Sequence, residues 1–356
     1  MAVGFPVKAD YVTGDVLTAN NMNDLSGTLN TIQSVEYAAG KNKIINGNFG
    51  IWQRGTSFAN PANEAYICDR FIISYDGSGA TRTYSQQTFS PGSAPVAGYE
   101  GTYFLRYART VAGSGATADR ISQRIEDVRT FAGQTATMSF WAKVDSGTPT
   151  LTLRARQNFG SGGSALVDAT DVSVTLSTSW TRYTATFAIP SISGKTIGTS
   201  SNLELQFRTA LNTVQTLDLW GVQIEASTIA SDFQTATGTI QGELAACQRY
   251  FYAVPSGNTK IIGTAFAYST TEADIVLQFP VQMRTTPSYS NTSGTGYFRY
   301  FRNSGTDDFD GLTLAGESTS ACGWLYNNTQ ISGTAGQAGL FQFNNASATM
   351  LFSAEL

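Results

Sequence analysis

Between about residue 42 and residue 235 the apolar residues recur every second position, and that period constrains the fold more than anything else in the chain. Met138, Phe140, Ala142 and Val144 share one side of a strand, as do Leu151, Leu153 and Ala155 in the next. Tyr183, Ala185, Phe187 and Ile189 form a third such row, and Leu203, Leu205 and Phe207 a fourth. Leu217, Leu219 and Gly221 open a last strand that continues to Ile224, and further candidates lie at 67–75, 82–89, 102–110 and 120–126. Roughly ten short strands separated by Gly, Ser and Asn turns predict an antiparallel sandwich or jelly roll. In such a sandwich one face of each strand packs inward and the other meets water.

The rhythm breaks twice. Thr239 to Cys247 carries few turn signals and reads as a short helix, making 237–248 a linker. Beyond it the strand pattern resumes at Tyr250–Val254, Ile261–Ser269, Asp274–Phe279, Gly296–Arg302, Cys322–Tyr326, Gly339–Phe343 and Thr349–Ser353. The polar, glycine-rich stretch 303–320 is expected to be an exposed loop. At the other end, Met22, Leu25, Leu29 and Ile32 recur at coiled-coil spacing, in a helix capped by Thr18 or Asn20. So short a seam is marginal alone; it either docks on its own domain or bundles with identical chains. The expected fold is therefore all-β: a short N-terminal helical segment (1–41), a jelly-roll β-sandwich (42–236), a short linker helix (237–248) and a second, smaller C-terminal β-sandwich (249–356).

Composition narrows the function. Charged residues are 13% of the chain, well below the usual share, while aromatics reach 12%. The net charge is −4 and no basic stripe is visible, which argues against a nucleic-acid partner. There is no apolar run long enough to span a bilayer, so no membrane insertion is expected. Met1 to Asp10 lack the pattern of a secretory signal, so assembly is expected inside the producing cell. Cys68, Cys247 and Cys322 are odd in number and far apart, which suits reduced, mostly buried thiols rather than disulfides or zinc. The sequence contains no histidine, which removes Ser-His and Cys-His nucleophiles and leaves only carboxylate chemistry to an enzyme.

Against this background several separate motifs fall in a familiar order. Asn46-Gly47-Asn48-Phe49-Gly50-Ile51-Trp52-Gln53-Arg54-Gly55, followed by Cys68-Asp69-Arg70-Phe71, resembles the opening of a sandwich module common in bacteriophage tail fibres and other virion appendage proteins. Leu219 to Glu225 is similar to its closing strand, and Glu243-Leu244 with Cys247-Gln248-Arg249-Tyr250-Phe251 to the segment immediately C-terminal to that strand. Phe279 to Pro287 matches a strand ending of the C-terminal portions of those proteins, so the resemblance covers about 42–290. In strand order the module also resembles family-4/9-type carbohydrate-binding modules. The resemblance implies a virion component assembled in the host cytoplasm, held to other virion proteins by its N-terminal segment. It further implies a homotrimer. Modules of the family-4/9 type often hold a structural calcium, but its ligands are not assignable residue by residue; no other cofactor is expected.

Read from the residues themselves, the opening segment is mainly structural. Asn46 and Gly47 suit a tight turn because both tolerate positive φ. Arg54 and Asp69 fall on neighbouring candidate strands and are expected to form a charge-assisted lock, with sugar contact as the alternative. Trp52 either stacks on a sugar or packs under a loop or against a neighbouring subunit.

A glycosidase needs two carboxyl groups about 5–10 Å apart in a cleft. Glu64 with Asp69, and Asp307, Asp308 and Asp310, are the dense acidic groups. The first pair flanks a turn, and the second sits in a glycine-rich stretch without EF-hand spacing. No enzymatic role is expected from either. Binding has better support: Tyr297, Arg299 and Phe301 fall on one side of a strand, and Phe298, Tyr300 and Arg302 on the other. Only one side can be core, so the other must offer aromatics to a glycan or to another subunit, and Trp324 and Tyr326 add a similar pair. The leading expectation is a fibre-type structural protein that attaches to host-surface glycan by avidity. The alternatives are a purely architectural virion component, such as a capsid decoration or neck fibre, and a soluble sugar-binding protein.

Overall fold

A computed structural model describes residues 40–96, 99–303 and 305–356. The heptad-like row Met22, Leu25, Leu29 and Ile32 and the rest of the expected anchor lie outside the described residues. Within them, two six-stranded sheets face each other. The first runs, in spatial order, through Ser57–Ala59, Thr81–Thr88, Tyr103–Val111, Gln215–Glu225, Thr135–Val144 and Thr181–Ala188. The second runs through Phe71–Tyr75, Asp119–Glu126, Asn202–Arg208, Thr150–Asn158 and Val167–Asp168, with Val172–Thr175 also paired to Thr150–Asn158. The crossovers between sheets and the antiparallel pairing are those of a jelly roll.

The expected inward rows meet between the sheets. Met138, Phe140, Ala142 and Val144 pack with Leu151, Leu153, Ala155, Leu203, Leu205 and Phe207 in one buried cluster. Two strands of the first sheet depart from simple alternation, because the back of that sheet is covered as well. There Phe89, Phe104, Trp141, Trp220 and Phe233 form a separate apolar cluster. Thr135–Val144 and Gln215–Glu225 are therefore buried on both sides.

The expected linker helix spans Ile240–Gln248, and the Thr239 hydroxyl accepts the Gly242 N–H at its start. After it come a three-stranded sheet (Phe251–Ala253, Thr349–Ser353, Ser288–Thr292) and a seven-stranded one. The latter orders Gly305–Phe309, Phe298–Arg302, Ala338–Phe343, Ile261–Ala267, Ala273–Gln278, Cys322–Asn327 and Thr313–Leu314. Phe298, Tyr300, Phe341, Phe343, Ile275, Leu325 and Phe352 lie in its buried cluster.

The stretch 303–320 corrects the sequence expectation: it holds two of these strands rather than one exposed loop. Polar composition hid them, because Asp307 and Asp308 pair with Arg302 and Arg299 on the neighbouring strand instead of facing water alone. Ser288–Thr292 escaped the pattern for the same reason, its residues being mostly polar.

The familiar-looking motifs come together where the two pairs of sheets join. Asn46 has φ +61°, and its side chain spans the turn, donating to the Ile51 and Asp69 carbonyls and accepting the Ile51 N–H. Its own N–H donates to Glu243 of the helix at 2.7 Å. Gly47 serves differently from expectation: a Cβ there would lie 2.0 Å from the Val222 carbonyl oxygen, so it is close approach, not positive φ, that requires glycine. The Arg54–Asp69 lock is also corrected. Neither residue lies in a strand, and the closest approach of the pair is 4.0 Å. Both Asp69 oxygens are taken by Gln53, through its N–H at 2.7 Å and its amide nitrogen at 2.6 Å. Arg54 turns instead to Glu355 at 2.9 Å and lies over the Phe251 ring. Arg284, from the Met-Arg motif, donates to the carbonyls of Ala354 and Glu355, holding that final segment in place.

Candidate functional site

The outward face of the seven-stranded sheet is apolar where a sandwich normally presents polar residues. Register brings its side chains into rows. Phe301 pairs with Leu340, and Leu340 with Thr264. Val276 stands opposite Trp324. In the next row Phe266 pairs with Ala338 on one side and Asp274 on the other, and Asp274 pairs with Tyr326. Val276 and Phe301 are each 51% exposed, and Phe266, Ile261 and Tyr268 are exposed too. A surface of this kind marks an interaction site.

Asp274 sits in the middle of that surface. Although its register places it on the outward side, between Phe266 and Tyr326, it is only 1% exposed. Neither carboxylate oxygen makes a hydrogen bond of ordinary geometry among the described residues. Burial pushes its pKa up to about 6; Glu272 adds to the rise, and the nearby Trp324 indole N–H opposes it. The exposed rings can take the C–H faces of a sugar, with the Asp274 carboxyl lying beneath them out of solvent reach.

The residues singled out from sequence divide sharply. Trp324 and Tyr326 are half-buried members of this face. Phe298 and Tyr300 belong to the opposite side and are fully buried, which corrects their expectation as surface contacts. The strand's parity decides this: Phe298 packs on Phe343 and Phe309, and Tyr300 packs edge-on against Phe341 while donating to the Gln337 carbonyl at 2.6 Å. Arg302 is on that inner side too, paired with Asp307 and donating to the Ser332 carbonyl, so it is also unavailable as a surface contact. Tyr297 lies before the strand and packs against the core edge, its ring against Gly294.

Trp52 packs against the core of the other pair of sheets. Its indole N–H donates to the Phe49 carbonyl and its ring stacks near Phe58. The acidic candidates are likewise engaged: Glu64 pairs with Arg124, Asp69 is buried, and Asp310 accepts the Gly296 N–H. Among the described residues no group of three or more His, Cys, Asp or Glu is placed to hold a metal ion. Cys68 and Cys247 are buried free thiols whose pKa values burial pushes well up, and Cys322 is half-buried and free.

Sequence reasoning missed Phe266, Val276 and Asp274. The signal was present in the alternation of Asp274-Ile275-Val276-Leu277, where both sides of the strand carry apolar residues.

No family model matches the chain, and no curated protein matches it. Among solved structures the chain is similar to the enzymatically active domain of bacteriophage CBA120 tailspike protein 4. That match has 17% identity and a TM-score of 0.34, and covers 52% of this chain and 22% of the other. A CBM4 structure matches at 16% identity and a TM-score of 0.32, over 51% of this chain and 98% of that one. The family 11 carbohydrate-binding module from Clostridium thermocellum, in complex with a β-1,3-1,4-mixed-linked tetrasaccharide, matches at 11% identity and a TM-score of 0.31, over 48% and 96%. The chain thus spans about a fifth of the tailspike chain.

Proposed function

We propose that this chain is a fibre-type structural protein of a bacteriophage virion that attaches to host-surface glycan through the outward face centred on Asp274, Trp324 and Tyr326. In this reading residues 1–41 anchor it to other virion proteins, 42–236 and 249–356 form two β domains, and the chain assembles as a homotrimer. The observation that carries the binding role is the apolar face itself, with a carboxylate buried among its aromatic rings. A weak site of this size gains useful strength when three copies act together and several trimers act on one particle. The motifs from Asn46 to Phe71 and from Glu243 to Phe251 carry the virion part of the proposal through their resemblance to appendage proteins.

The test is a glycan array probed with the full-length chain beside Trp324→Ala. Glycan signal that disappears in the variant, with mass and melting temperature unchanged, is the expected result. A blank array for the unsubstituted protein overturns the attachment role. The exposed apolar face also suits a contact between subunits, which is the architectural reading. There Trp324→Ala lowers the oligomer mass in light scattering instead.

A further inference from the structure

The other pair of sheets carries a second outward surface of opposite character. Register places Arg208 directly across from Arg120, and Gln206 between Ser122 and Arg154. In the next row stand Arg124, Glu204, Arg156 and Asp168. Most of these guanidiniums are neutralised: Arg156 grips Asp168 at 2.6 and 2.9 Å, Arg154 grips Asp171 at 2.7 Å through two nitrogens, and Arg124 holds Glu64 at 2.8 Å.

Arg208 stands apart. Among the described residues no carboxylate comes within ion-pair distance of it, and its guanidinium donates to Gln206 Oε1 at 3.2 Å. Burial, with Arg154, Arg120 and Arg156 around it, holds its pKa below the ordinary value against the opposing pull of Asp171 in the same groove. The acids nearest Arg120, Glu204 and Glu64, lie at 3.7 and 3.9 Å, beyond hydrogen-bond reach. Like charges placed directly opposite on a sheet face destabilise it. Beside them, Gln206 and Ser122 are buried on the same outward row, and the Gln206 amide nitrogen and Ser122 hydroxyl have no hydrogen-bond partner among the described residues. Arg208 lines a groove of about 400 Å³ with Thr117, Thr152, Arg154, Asp171 and Thr209.

We propose that this groove binds an oxyanion carried on a saccharide, with Arg208 as the principal contact and Arg154 beside it in the lining. A planar guanidinium without an acid partner is suited to bidentate capture of a carboxylate or sulfate. The threonine hydroxyls and the Asp171 carboxylate offer partners to neutral sugar hydroxyls. A nucleic-acid backbone needs many cationic contacts along its length, which a chain of net charge −4 without a basic stripe does not offer, so a saccharide carrying an isolated oxyanion is the better fit. The site is separate from the Asp274 face and depends on the glycan reading only for the carrier of the charge.

The full-length chain is titrated calorimetrically at low and high salt with oligogalacturonate, sulfated dextran oligomers, unsubstituted dextran oligomers and a short DNA duplex. Binding to one or both acidic saccharides, weakening as salt rises and at least tenfold weaker in Arg208→Gln, is the expected outcome. Whether carboxylate or sulfate is preferred identifies the oxyanion. Without ligand, Arg208→Gln melts no lower than the unsubstituted protein, because it relieves repulsion. Trp324→Ala leaves acidic-saccharide binding intact, so failure of the attachment role and failure of this groove are distinguishable. Absence of binding to both acidic saccharides, equal binding to neutral dextran, tighter binding to DNA, or full affinity in Arg208→Gln overturns the proposal.

Discussion

Arg70 and Glu355 form a buried ion pair across 285 residues of chain, joining the opening segment to the final one. Arg70 is 1% exposed; its guanidinium lies 3.4 Å from the centroid of the Tyr250 ring, and it also donates to the Arg124 carbonyl at 2.6 Å. Burial works against its charge, but Glu355 raises its pKa above the ordinary value. Glu355 meanwhile accepts from Arg54, so two cations from the opening segment converge on one carboxylate.

Removing one partner of that pair leaves a buried charge without its counterpart. Arg70→Ala and Glu355→Gln are each expected to destabilise the protein by about 3–5 kcal/mol. The double variant Arg70→Met/Glu355→Leu should lose less than the sum of the single losses, since it removes both charges of the pair and the one cation left without Glu355, Arg54, keeps Asp69 at 4.0 Å. Denaturant unfolding of the three proteins measures this. A double loss equal to the sum refutes the coupling.

Gly47 meets the Val222 carbonyl oxygen so closely that a side chain cannot fit without moving backbone. The Val222 N–H donates to the Gly47 carbonyl at 2.9 Å in the same contact. Gly47→Ala is therefore expected to cost about 2 kcal/mol or more, whereas Gly40→Ala, with open space around it, should be strained only through its positive φ. Melting temperatures compared side by side decide the point.

Asp274 should give the protein a pH signature. Its folded-state pKa is raised to about 6, so the protonated acid is the form the fold prefers. The stability from this preference is complete below pH ~4, where the unfolded group is also protonated, and is lost as pH rises through about 6. Asp274→Asn is accordingly expected to stabilise the protein by about 1–2 kcal/mol at pH 8 and to change little at pH 4. Chemical denaturation at the two pH values tests it; an equal effect at both rules out burial of the charge as the cause.

Tyr300 and Trp324 looked alike in sequence and should now part company. Tyr300→Ala empties a core position and strands the Gln337 carbonyl contact, which is expected to cost about 3–5 kcal/mol. Trp324→Ala removes a half-buried ring from the outward face and should stay within about 1 kcal/mol. Calorimetry separates the two, and equal losses would contradict the assigned faces.

Much of the fold was legible because the period of two survives wherever one strand face is core and the other is wet. The row at 151–155 is buried as read, with its intervening residues partly exposed; those at 138–144 and 203–207 are also buried as read, although their other face is covered too. Legibility failed where that premise failed. Gly305–Phe309 is a strand whose polar residues are satisfied by arginines on its neighbour. For Phe298–Arg302 alternation gave two faces of nearly equal aromatic content, and local pattern cannot say which is inside.

By itself the sequence determined the all-β class, the short helix after residue 239, and the segments that matter to the junction, because periodicity, capping and turn chemistry are local properties. Tertiary structure alone decided which residues those segments grip. Asp69 is satisfied by its neighbour Gln53, while Arg54 and Arg70 close on Glu355, a partner that spacing could not indicate. It also decided which aromatic face stays open and which carboxylate is buried beneath it, since burial is set by strands far apart in the chain.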